Sequence, residues 1–337
     1  MSHALHDLSL RLWSLQPRPG ATKRDFLTLH DLTNWELEGL LDLARELKSF
    51  PAPFHHALEG KTVAMIFEKP SLRTRVTFEV SMAQLGGHAI YLSPADIALG
   101  KREAVKDVAR NLARWVDGIV VRTFAHNILT EMAHEAQVPI VNALSDLLHP
   151  CQAVADLLTL REVKGKLRGL RLAYVGDGNN VAHALAQASA KLGVHFTVAC
   201  PRGYEPDATV FREACADAES TGASLLVVQD PADAVHDADA IYTDVWASMG
   251  QEAEAEKRRR IFAPYQVNPM LMAVAKSDAV FMHCLPAHRG DEVTDEVLDG
   301  PQSVVLEQAE NRLHVAKAVL LALLGDVKQA PGGKTLQ

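Results

Sequence analysis

The chain has 337 residues, 48% of them hydrophobic and 23% charged, which is the composition of a folded globular protein. That length is too great for one comfortable core and predicts two α/β domains. With 34 basic against 42 acidic residues the formal net charge is -8, which argues against a nucleic-acid or membrane-surface partner and requires any anion site to be built locally.

No apolar run approaches the length of a membrane span. Residues 1–18 lack the charged start and apolar centre of a secretion signal and are too poor in arginine for a transit peptide, so a cytoplasmic location is expected by elimination. Residues 1–19 and 328–337 are read as tails, the second with Pro331, Gly332 and Gly333 and expected to be disordered. The cysteines Cys151, Cys200, Cys215 and Cys284 form no Cys-x-x-Cys pair or other metal spacing. Reduced thiols are expected, inert and buried at Cys151, Cys200 and Cys215.

Along the chain, Thr62–Phe67, Ala89–Leu92, Gly118–Val121 and Pro139–Val141 read as buried parallel strands. Helices are predicted over Thr74–Leu85, stopped by Gly86 and Gly87, and over Arg102–Val116. The helix His149–Val163 bridges to a second βα-repeating unit with strands Leu172–Val175, Phe196–Ala199, Ser224–Val228, Ala240–Tyr242 and Val280–Met282. Glu252–Arg260 is charged on all faces and reads as a solvated loop. A last helix, Gln308–Leu324, has no strand after it and is expected to pack back on the first domain. The expected architecture is two doubly wound parallel-sheet domains with a cleft between them, 20–150 with 308–324 forming one and 151–307 the other. Ligands are expected beyond the carboxyl ends of the strands.

The string Phe67-Glu68-Lys69-Pro70-Ser71-Leu72-Arg73-Thr74-Arg75 falls where the first strand ends and a helix begins. Ser71 is a good N-cap, and a helix start offers unpaired N–H groups and partial positive charge to a phosphate. Ser71 and Thr74 add hydroxyls, and Arg73 a guanidinium that can hold two phosphate oxygens at once. Alone, the string reads equally as a capped surface helix with solvated arginines. Arg122 at the end of the third strand, and His149-Pro150-Cys151-Gln152 after the fourth, add cationic and polar groups at strand ends of the same domain.

With these strings the chain resembles the aspartate and ornithine carbamoyltransferase superfamily from Asp25-Phe26-Leu27-Thr28-Leu29 to Glu310-Asn311-Arg312-Leu313-His314. Two further strings resemble its ornithine branch: Asp244-Val245-Trp246-Ala247-Ser248-Met249-Gly250 and His283-Cys284-Leu285-Pro286. The resemblance implies carbamoyl phosphate and L-ornithine as substrates, no cofactor or metal, and a trimer or a multiple of trimers. It implies that Ser71, Leu72, Arg73, Thr74 and Arg122 surround the phosphate, that His149 and Gln152 meet the carbamoyl end, and that Arg312 reaches in from the last helix. Asn180, from Gly176-Asp177-Gly178-Asn179-Asn180, would contact the ornithine carboxylate, Asp244, Ser248 and Met249 the amino-acid end. Cys284 and Leu285 would lie beside the carbamoyl group and the reacting amine. Two positions depart from the family pattern. The loop Asp96–Arg102 lacks the glutamine that reaches a neighbouring subunit's phosphate, leaving Lys101 or Arg102 as substitutes, and Leu72 stands where threonine is frequent.

Chemically, Arg122, His149 and Thr74 are donors for a developing oxyanion, and Arg73 neutralises a leaving phosphate. The reacting amine must be neutral, so a carboxylate beside it is unfavourable, and Asp244 is expected at the α-ammonium end. Covalent catalysis by Cys284 is a minor alternative, since no base is evident in its motif. Zinc at His283 and Cys284 is not expected, because neighbouring strand residues face opposite ways. Gly176-Asp177-Gly178 raises a dehydrogenase as a rival, but Val181 and Ala182 stand where the third glycine of the dinucleotide fingerprint belongs. The remaining rivals are carbamoyl transfer to putrescine, N-acetylornithine or aspartate, and a non-catalytic homologue that binds carbamoyl phosphate.

Overall fold

A computed structural model describes residues 15, 17, 21–97, 99–100, 102–247 and 252–325. Ser248, Met249, Lys101 and the tail expected at 328–337 lie outside them. The chain divides into two compact units, one of residues 1–151 and 312–337, the other of residues 152–311.

The first unit holds four parallel strands, β1 (Thr62–Phe67), β2 (His88–Leu92), β3 (Gly118–Arg122) and β4 (Ile140–Leu144), in the order β2-β1-β3-β4. Strands β3 and β4 are buried along their whole length, as the Val- and Ile-rich runs require of a sheet covered on both faces. Helix α1 (Asn34–Ser49) starts on a capping box, Thr33 accepting from Glu36 N while the Glu36 carboxylate accepts from Thr33 N. Helices α2 (Leu72–Gln84), α3 (Val105–Leu112) and α4 (His126–Glu135) follow β1, β2 and β3 in the chain. Val108, Ala109, Leu129 and Met132 of α3 and α4 share a core with Ile119 and Val121 of β3. Helix α3 is shorter than predicted, because Leu99 bridges Glu103 and Gly100 N donates to Glu103 O ahead of it.

Helix α5 (Pro150–Lys164) carries the chain into the second unit. Its parallel strands β5 (Arg171–Val175), β6 (His195–Ala199), β7 (Leu225–Val228), β8 (Ala240–Thr243) and β9 (Val280–His283) run β7-β6-β5-β8-β9. Helix α6 (Asn180–Leu192) is buried from Val181 onward, and α7 (Ala208–Ala218) turns Val210, Ala214 and Ala218 inward. Cys215 of α7 is exposed, contrary to expectation, because it lies one position off that inward row. Cys151 and Cys200 are buried, and burial pushes both thiols up to about 12.

The charged stretch expected to be a loop is instead a 3-10 turn, Glu252–Glu254, leading into α8 (Ala255–Phe262). Arg258 and Phe262, one helical turn apart, form its buried face, and Phe262 stacks on Trp246 with ring centroids 6.0 Å apart. Helix α9 (Val305–Leu324) returns the chain to the first unit, where Ser81 Oγ donates to Leu313 O at 3.2 Å. No helix among the described residues is long and apolar enough to cross a membrane.

Candidate functional site

In each sheet one strand pair marks the point where the order reverses, β1/β3 in the first and β5/β8 in the second, and Ser71, Arg122, Asn180 and Asp244 lie at the carboxyl ends of these strands.

In the first unit, α2 begins beyond β1 with Ser71 as N-cap, its hydroxyl accepting from Thr74 N at 3.3 Å. The N–H groups of Leu72 and Arg73 have no acceptor earlier in the helix. Thr74 is buried, and its Oγ1 accepts from Ser71 Oγ at 3.1 Å and from Arg312 Nη2 at 2.8 Å, so its own proton remains to be donated. Leu72 turns its side chain to solvent, 75% exposed, and only its backbone belongs to the helix start. Arg122 and His149, both buried, complete the group from the end of β3 and the start of α5. Burial first, then the guanidinium groups of Arg312 and Arg122, hold His149 well below the ordinary histidine range, so the ring is neutral. Its Nδ1 is buried with no hydrogen-bond partner among the described residues.

Sequence reasoning missed what fixes Arg122. Glu68 N donates to Arg122 O at 2.8 Å, and Glu68 Oε2 accepts from Thr123 Oγ1 and from Phe124 N. The Lys69 ammonium lies 4.1 Å over the Phe124 ring. Glu68 and Lys69 stand in the same string as Ser71, which was the available signal.

In the second unit, the turn after β5 places Gly176 at φ 145°, and a Cβ on Gly178 would meet Pro206 N at 2.3 Å, so both glycines are required. Asn179 caps α6, its Oδ1 accepting from Val181 N at 2.9 Å, Ala182 N at 3.2 Å and the Tyr174 hydroxyl at 3.1 Å. This helix start is closed by its own side chain, which removes the donors that a dinucleotide's pyrophosphate needs. The same amide donates from Nδ2 to Asp244 Oδ2 at 2.8 Å, and Asp244 Oδ1 accepts from Cys284 Sγ at 3.1 Å. Asp244 and Cys284 therefore meet at one spot. Neither residue's motif reveals a base near the thiol, because neither shows that β8 and β9 are neighbours. Asn180, half-buried, is the first residue of α6.

Asp177 pairs with Arg258 Nη1 at 2.8 Å, and the same nitrogen donates to Trp246 O at 2.8 Å. Burial pushes the Asp177 carboxyl up to about 6 against the pull of Arg258. Arg258 thus ties the turn after β5 to the chain beyond β8, a role hidden in a charged run.

One ligand atom from each of Asp244, His283 and Cys284 lies within 4.8 Å of the others, so the expectation that His283 and Cys284 face apart does not hold. Strand β9 ends at His283, and the pleat that would separate the two side chains ends with it. Both His283 nitrogens are engaged in the turn: Nδ1 accepts from Leu285 N at 2.8 Å and Nε2 faces Glu292 Oε1 at 3.3 Å. They hold Leu285 at φ 58°, an unusual conformation for a branched residue. Gln152, buried on α5, donates to Asp156 Oδ1 at 2.7 Å. Arg102 is exposed.

A family model for the aspartate/ornithine carbamoyltransferase carbamoyl-P binding domain matches residues 24–162, and one for the Asp/Orn binding domain matches residues 168–323. A protein of Anoxybacillus flavithermus named ornithine carbamoyltransferase is 57% identical over 303 residues, 89% of this chain and 96% of its own. One of Pyrococcus furiosus, named ornithine carbamoyltransferase, anabolic, is 55% identical over 90% of this chain and 98% of its own. The solved structure of ornithine carbamoyltransferase from Pyrococcus furiosus aligns with a TM-score of 0.88 at 54% identity, covering 92% of this chain and 98% of that one. Sequence, fold and the furnishing of the two switch points agree, and the chain belongs to the aspartate/ornithine carbamoyltransferase family.

Proposed function

We propose that the chain is an ornithine carbamoyltransferase, moving the carbamoyl group of carbamoyl phosphate to the side-chain amine of L-ornithine to give L-citrulline and phosphate. The observation that carries this reading is the gathering of Arg122, Arg312, Thr74 and a neutral His149 around one helix start, a site matched to a doubly charged leaving group. In this reading the phosphate lies on the N–H groups of Leu72 and Arg73 with Ser71, Arg73, Thr74, Arg122 and Arg312 about it. His149, Arg122 and the Thr74 hydroxyl donate to the carbonyl oxygen as negative charge grows there, and Gln152 meets the carbamoyl amide. A neutral imidazole suits this task, since it donates one hydrogen bond and adds no further cation beside two arginines.

The amine nitrogen forms its bond to the carbonyl carbon, the carbon–oxygen bond to phosphate breaks with its electron pair leaving on phosphate, and the nitrogen sheds a proton. A lysine-like amine has a pKa of roughly 10.4, so making it neutral at pH 7 costs about 4 to 5 kcal/mol unless the site helps. Cys284 and Leu285 receive that amine. Asp244 already accepts hydrogen bonds on both oxygens, which tempers its preference for an ammonium group. Asn180 would hold the ornithine carboxylate, while Ser248 and Met249 complete the α-amino end with Asp244. Synthesis of arginine is the proposed direction, a cytoplasmic trimer or multiple of trimers the proposed form, and no cofactor is assigned.

Product formation from carbamoyl phosphate with ornithine, putrescine, N-acetylornithine and aspartate in parallel tests the reading. Ornithine is expected to be preferred, with activity rising between pH 6 and 9 as its amine deprotonates. Preference for another amine, or no turnover with any, would overturn it.

A further inference from the structure

The buried carboxylate of Asp156 has no part in the roles proposed for the substrates. Asp156, on α5, has no exposed surface, and its Oδ1 accepts from two side-chain amides, Gln152 Nε2 at 2.7 Å and Gln308 Nε2 at 2.8 Å. The other end of the Gln308 amide, Oε1, accepts from His283 N at 2.9 Å, the residue before Cys284. Buried Tyr242 lies beside Asp156, two residues before Asp244. All these groups belong to the second unit.

We infer that Asp156 is a positioning residue that sets the contacts of both substrates through these two amides, an inference that rests on the carbamoyl-transfer reading. An amide can present either end to a neighbour that both donates and accepts, whereas a carboxylate only accepts. Asp156 therefore forces both glutamines to turn their NH2 groups toward it. Gln152 is left with its carbonyl end away from Asp156, the end that accepts an N–H from the carbamoyl group. Gln308 is left with its carbonyl on His283 N, which pins the end of β9 and so the start of the turn that carries Cys284 and Leu285. A buried acceptor that takes two amide bonds leaves each amide no solvent to turn to, which makes a flip of either one expensive.

The test compares Asp156→Asn and Gln308→Met with the wild-type chain, each checked for wild-type-like thermal unfolding. It reads the Kd for carbamoyl phosphate without ornithine, and kcat and KM with ornithine. Asparagine keeps the shape but restores the ambiguity of the amides, so Asp156→Asn is expected to weaken carbamoyl phosphate binding and lower kcat, each about tenfold. Gln308→Met is expected to lower kcat about tenfold while holding the carbamoyl phosphate Kd within about twofold. Asp156→Asn within twofold of wild type on both readouts would overturn the inference, as would a Gln308→Met that weakens carbamoyl phosphate binding as much as Asp156→Asn does. Should Asp156→Asn not fold, an unchanged kcat in Gln308→Met overturns it alone. A wild-type chain that makes no citrulline would strike the carbamoyl-transfer reading, while the carbamoyl phosphate arm still reads Asp156.

Discussion

At the β1/β3 switch point, α2 opens with Ser71 capping Thr74 N, and Arg122 and Arg312 stand near the neutral His149. At the β5/β8 switch point, α6 opens with Asn179, whose amide takes the N–H groups of Val181 and Ala182 and then hands a donor to Asp244. The topology is the same and the charge is opposite. One helix start, with Ser71 taking one N–H, stands among cations, which suits a phosphate; the other, with Asn179 taking two, stands beside acids. The pKa displacements follow this division. His149 is driven down by burial and neighbouring guanidiniums, whereas burial and, among smaller causes, the nearby Asp244 raise Asp177. Switch-point geometry selects where a ligand can sit, and the residues one turn into the following helix select its sign.

If the cationic half carries the leaving phosphate and the oxyanion, Arg122→Ala is expected to lower kcat/KM about a thousandfold, roughly 4 kcal/mol, in steady-state assays at saturating ornithine. A loss below tenfold breaks the comparison at its stronger side. His149→Gln is expected to lower kcat about a hundredfold. Because burial and the neighbouring guanidiniums hold the wild-type ring well below the ordinary histidine range, the acidic limb of the pH profile should not move in that variant; a displaced limb would show that His149 titrates there. On the acidic side, Cys284→Ala is expected to lower kcat only about tenfold, since direct attack needs no thiolate. A fall of about ten-thousandfold would instead mark a carbamoyl-cysteine, with Asp244 at 3.1 Å as its base.

The smallest effect is on stability. The Asp177 carboxyl sits at about 6 in the folded chain, against about 3.9 for an unperturbed one. Folding therefore favours its protonated form, and that contribution is full below pH about 4 and lost as pH rises through 6. Asp177→Asn should flatten the urea-measured stability profile between pH 4 and 7 by roughly 1–3 kcal/mol. Parallel profiles for the two proteins would contradict the raised carboxyl.

The sheets were legible because parallel strands buried on both faces read as short apolar runs, and Thr62–Phe67 lies in the chain as its residues announce. The phosphate string was legible because its residues are contiguous and helix-start chemistry is local. What escaped needed partners distant in sequence. Arg258 sits in a run whose charge implies solvent, and only its pairing with Asp177, 81 positions away, turns that run into a helix with a buried face. The meeting of Asp244 with Cys284 depends on β8 and β9 pairing, and the proximity of His283 depends on where β9 stops. Asn179 was hidden beside Asn180, since capping and ligand-binding asparagines look alike until the helix start is fixed.

The division of labour between the two halves is tested most directly by titrating carbamoyl phosphate into Arg73→Ala and Asp244→Ala, with ornithine turnover measured on the same preparations. The account predicts that Arg73→Ala loses carbamoyl phosphate binding, while Asp244→Ala binds it within about threefold of wild type yet loses ornithine turnover about a hundredfold or more. Equal losses of both properties in both variants would contradict it.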